Sequence, residues 1–73
     1  MFTVHAHVAS KTDIPEVNGG GVAVTFAADH DDPRNDAWSP APDASASIAV
    51  NLIAGDAESI TVGDAWELTF RSA

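Results

Sequence analysis

A chain of 73 residues without cysteine has no disulfide or thiolate-metal staple, so a single small domain spanning 1–73 must be held by burial alone. Eleven acidic residues against three Lys and Arg give a formal net charge of −8, which leaves no basic stripe for phosphates and argues against direct nucleic-acid binding. No stretch approaches the ~18 apolar residues of a membrane span, and no basic and apolar leader opens the chain, so neither membrane insertion nor classical export is expected.

Phe2, Val4, Ala6 and Val8 alternate with Thr3, His5 and His7, which predicts a first strand from the N-terminus onward with two unlike faces. Residues 11–21 carry Asp13, Pro15, Asn18 and Gly19-Gly20-Gly21, a long turn in which glycine supplies positive φ and proline removes a ladder donor. The second strand, Gly21 to Ala28, points Val22, Val24, Phe26 and Ala28 one way, which closes a first hairpin over 2–28. Asp29 to Pro42 is read as the main loop, acidic and interrupted by Pro33, Pro40 and Pro42, with Trp38 heading a short extra strand or capping one end of the domain.

Alternation resumes with Ala46, Ile48, Val50 and Leu52 in a third strand of about Ser45 to Ile53. It returns with Trp66, Leu68 and Phe70 in a last strand of about Ala65 to Arg71, and between them Ala57 to Ile60 has room for one helical turn. The fold expected is all-β, a small antiparallel barrel or sandwich of four to five strands. Its core is expected from Phe2, Val4, Val24, Phe26, Ile48, Val50, Leu52, Trp66, Leu68 and Phe70.

The densest group of oxygen ligands is Asp29, Asp31, Asp32 and Asp36. Hard cations want six to eight oxygens, but a calcium loop of the EF-hand type needs glycine and glutamate where Arg34 and Pro40 stand. A solvated acidic loop is therefore the preferred reading and a cation loop the lesser one. His5 and His7 share one strand face at a spacing that suits zinc only with a third ligand such as His30, and are read as half-exposed surface histidines. Gly19-Gly20-Gly21 lacks the lysine and the strand-to-helix setting of a phosphate loop, so no catalytic residue and no cofactor are expected. The candidate partner-binding residues are Trp38, Asp31, Asp32, Asp36 and Phe2.

Asn35, Trp38, Pro42, then Ala46, Ile48 and Val50, and finally Gly63, Trp66, Leu68 and Phe70 form a pattern that resembles a group of small, uncharacterised proteins of tailed phages. Alanine stands here at 44, where the pattern has a turn glycine, and at 46, where it has a large apolar residue. The resemblance covers residues 35–70 and implies a viral origin without carrying over any functional residue. The expectation is a non-enzymatic virion protein, a multi-copy capsid decoration or cement subunit assembled in the host cytoplasm. Its partner would be the major capsid protein or another virion protein, with homo-oligomers allowed. The alternative is an acidic phage inhibitor of a host protein, its carboxylates between Asp29 and Asp43 imitating nucleic-acid phosphates.

Overall fold

In the computed structural model, which describes residues 1–39 and 45–73, strands β1 (Phe2–Asp13), β2 (Val22–Ala28), β3 (Ser47–Leu52) and β4 (Ala65–Phe70) form one antiparallel sheet in the order β3-β2-β1-β4. A single four-residue helical turn, α1 (Ala54–Ala57), and two 3₁₀ turns at Glu16–Asn18 and Pro33–Ala37 complete the described chain. Pro40, Pro42, Asp43 and Ala44 lie outside the described residues.

The sheet is open, which corrects the expected barrel or sandwich. Closure would require β3 to pair with β4, yet these are the two opposite edges. The connection from Ile53 to Asp64 instead runs from one edge to the other and buries Ala57 and Ile60 against the apolar face. It occupies the space a second sheet would take. No described helix is long and apolar enough to cross a membrane.

Strand β1 runs on to Asp13, into the first residues of the expected turn. Its residues 2–7 pair with β4, and its residues 6–13 pair with β2. A bulge between Val8 and Ser10 shifts the register, so Lys11 rather than Ser10 comes to lie opposite Val24. Lys11 then sits on the apolar face, where its Nζ donates to the Ile60 carbonyl at 2.9 Å and ties the cover to the sheet. The aliphatic stem of a lysine in that position covers apolar surface while its ammonium finds an acceptor.

Gly21 fixes the start of β2. Its φ of +89° belongs to the left-handed region, and a Cβ there would stand 2.4 Å from the Leu52 carbonyl oxygen. Only glycine lets β2 begin this close to the end of β3.

The predicted inward face is the observed one, but burial follows strand position within the sheet. Val4, Val24 and Phe26 are buried as expected, and Ile48, Val50, Leu52 and Leu68 are half-buried. Phe2, Trp66 and Phe70, expected in the core, are 45%, 37% and 37% exposed. They lie at the β1/β4 side, where no further strand flanks them and the Ile53–Asp64 cover does not enclose them. In their place Ala6, Val8, Val22, Ala57 and Ile60 complete the core. Ala6 is small enough for the rings of Phe26 and Trp66 to meet edge to face at 5.7 Å.

Candidate functional site

Where β2 ends, the sheet is continued by a side chain. Asp29 donates its backbone N–H to the His5 carbonyl at 2.9 Å, and the chain then turns away through Asp32 and Pro33. Asp32 caps the 3₁₀ turn by accepting from the Arg34 backbone N–H at 2.9 Å, and proline follows at the first position of the turn. This brings Asn35, which is fully buried, against the vacant side of β1.

The Asn35 amide uses its whole hydrogen-bonding capacity there. Its Oδ1 accepts from the His5 N–H at 2.8 Å and from the Trp38 indole N–H at 3.0 Å. Its Nδ2 donates to the carbonyls of His5 at 2.9 Å and Asp29 at 2.8 Å. Towards His5 it behaves as one more peptide of β2.

Trp38 is aimed by that bond. It ends the 3₁₀ turn, the segment that an extra strand after it would need lies largely outside the described residues, and its ring lies 6.0 Å from Phe2. Phe2 in turn stacks on Phe70 at 5.1 Å and 22°. An aromatic row of Trp38, Phe2 and Phe70 therefore runs across one end of the sheet, with Trp66 two residues along β4 from Leu68 on the same face. Residue patterning singled out Trp38 and Phe2 for a partner but also placed Phe2, with Phe70 and Trp66, inside. Asn35 entered only through the phage-like pattern. The local signal for it is an Asp-Pro turn start followed at Asn35 and Trp38 by an amide and an indole three residues apart.

The four aspartates do not converge. Asp29 Oδ1 is 2.6 Å from His7 Nδ1. Asp32 is gripped by the Arg34 guanidinium, with Nε on Oδ1 at 3.1 Å and Nη2 on Oδ2 at 2.8 Å. Asp31 and Asp36 point to solvent. Among the described residues no three of His, Cys, Asp and Glu are placed to share a metal ion. His5 and His7 occupy the face opposite Val4 and Ala6, each with a carboxylate beside Nδ1, since Glu67 Oε1 lies 3.8 Å from His5. His30 is exposed.

The Arg34 side chain, followed by its backbone N–H, holds the Asp32 carboxyl well below the ordinary 3.8, at about 2. Because the folded value is the lower one, the resulting stabilisation is present above pH ~4 and lost as pH falls from there towards 2. We expect Arg34→Gln to raise the Asp32 midpoint towards 3.8 in a carboxyl NMR titration. A midpoint that stays near 2 would assign the shift to the backbone N–H alone.

Beside this ion pair a groove of about 220 Å³ is lined by His5, Asp29, Arg34, Trp66 and Glu67. Its lining offers cationic and anionic groups but no hydroxyl or thiol nucleophile. The class of protein these features define is an open four-stranded β domain that presents aromatic side chains on a half-covered face. Compared with protein-family models, curated proteins and solved structures, the chain matches none.

Proposed function

We propose that the chain is a non-enzymatic docking module, and that it serves as a multi-copy decoration or cement subunit on the outside of a tailed-virus capsid. The observation that carries the docking reading is the exposure of Phe2, Phe70 and Trp66 on the same face as the core. Three large aromatic residues left 37–45% exposed in a chain this small are unusual unless a partner covers them. Tryptophan and other aromatic side chains also carry much of the energy at protein interfaces.

Phe2, Trp38, Phe70 and Trp66 form the proposed contact, and the exposed carboxylates of Asp31 and Asp36 are the candidate charges for the same partner. Asp32 contributes through the position of Arg34 rather than as a free charge. The virion assignment is supported by the pattern running from Asn35 through Trp38 to Phe70 and by an acidic surface that keeps clear of packaged DNA. The inhibitor reading has less behind it, because Asp29 and Asp32 are engaged by His7 and Arg34 instead of being displayed as phosphate mimics.

Quantitative mass spectrometry of purified particles from the encoding virus is the test. The expected result is this chain at a copy number comparable with the capsid subunit. Phe2→Ser combined with Phe70→Ser should lower its occupancy by about tenfold while the circular dichroism spectrum stays β-type. Absence of the chain from particles overturns the virion reading. Unchanged occupancy of the double variant overturns the aromatic contact.

A further inference from the structure

The two edges of the sheet are chemically unlike, and one of them is complementary to itself. On β4 the backbone N–H and C=O groups that point away from β1 are those of Ala65, Glu67 and Thr69, because His5, opposite Glu67, directs its own towards Asn35 and Asp29. A glutamate therefore stands in the middle of that edge, a known guard against strand pairing.

Strand β3 has no such guard. The Ala28 N–H bonds the Ala46 carbonyl at 3.0 Å, so by alternation Ile48, Val50 and Leu52 bond β2 while Ser47, Ala49 and Asn51 direct their backbone groups outward. Ser47 to Leu52 contains no charge and no proline, in a chain whose net charge is −8.

Its order of side chains also reads alike in both directions. From Ala49 outward come Ile48 and Val50, then Ser47 and Asn51. We propose that β3 pairs with β3 of a second copy across a twofold axis at Ala49, giving a continuous eight-stranded sheet. Antiparallel pairing in this register sets Ser47 against Asn51, Ala49 against Ala49 and Ile48 against Val50. Each polar, small and β-branched side chain thereby meets its own kind.

The hydrogen-bonded pairs are those whose backbone groups already face outward. Ile48 and Val50, half-buried in one chain, gain cover from their counterparts on the same face. A basic partner strand would gain nothing from an uncharged edge, whereas a second copy matches it throughout. The pairing uses the edge opposite β4 and its aromatic contact, so it stands whether or not the capsid reading holds.

Since each copy carries −8, association is opposed by charge and is strengthened by salt. Light scattering on the full chain should show the 7.5 kDa mass doubling with concentration up to about 1 mM, at least tenfold more readily in ~1 M than in ~0.05 M NaCl. In hydrogen exchange, the outward amides of Ala49 and Asn51 should gain protection in step with the mass. Ala49→Pro removes an outward donor and no internal one, and Ala49→Lys places a cation on the axis. Both should abolish the doubling while circular dichroism stays native, and if the proline variant fails to fold the lysine variant decides. A chain that stays at 7.5 kDa, or a dimer that protects the Glu67 and Thr69 amides and ignores Ala49→Lys, overturns the pairing.

Discussion

Asn35→Leu is expected to cost on the order of 3–4 kcal/mol in urea denaturation, a large share of the roughly 4–11 kcal/mol available to a domain this size. Leucine fills a similar volume, so the loss is one of hydrogen bonding rather than packing. It strands the His5 N–H in a buried place, releases the Trp38 indole, and takes one of two donors from each of the His5 and Asp29 carbonyls. Asn35→Asp sharpens the test because it keeps the shape. A carboxylate can still accept from His5 and Trp38, but its second oxygen would face the carbonyls of His5 and Asp29, where Nδ2 now donates. At neutral pH we expect it to be at least as damaging as leucine. A stable Asn35→Asp variant would mean that the side chain does not continue β2 in the way described.

Gly21→Ala is the second large effect, expected at about 3–4 kcal/mol. The added methyl meets the Leu52 carbonyl at 2.4 Å, and the backbone stays at φ +89°, so the residue suffers both collision and strain. Relief requires β3 to move away from β2 at the end where the two strands meet. Gly19→Ala separates the two causes. It has a φ of +105° with nothing within 4 Å of the added methyl, so only the conformational cost of about 1–2 kcal/mol is expected. Thermal melts of the two variants should differ accordingly. Equal melting points would show that the close approach to Leu52 carries no weight.

Much of the sheet is legible because two-residue alternation is a local property. Val4, Val24 and Phe26 could be assigned to one face without knowing what lay beside them. Whether that face is enclosed depends on strand order, which alternation does not encode. Trp66 and Phe70 read like core residues and are half-open because β4 is an edge. The bulge after Val8 is hidden for a related reason, since Ala9 and Ser10 look like any loop entry. Only the pairing of Lys11 with Val24 reveals the shift.

The candidate site divides in the same way. Trp38 and Phe2 are conspicuous as aromatic residues near polar segments. The aspartates, taken as one acidic group, are split by their partners, His7 distant in the chain for Asp29 and Arg34 two residues away for Asp32. Asn35 reaches across thirty residues to His5, and no composition or period marks such a bond.

The long first strand also sets an order of events during synthesis. Residues 2–7 are made before the rest of the sheet, yet their neighbour on one side is the stretch from Ala65 to Phe70. A nascent chain that has finished the β1–β2 hairpin and β3 still shows the bare flank of Phe2 and Val4 until Phe70 has been made. A chain cut short anywhere between Leu52 and Trp66 and released therefore folds no further than a three-stranded form, open along its N-terminal strand and apt to be seized by another chain.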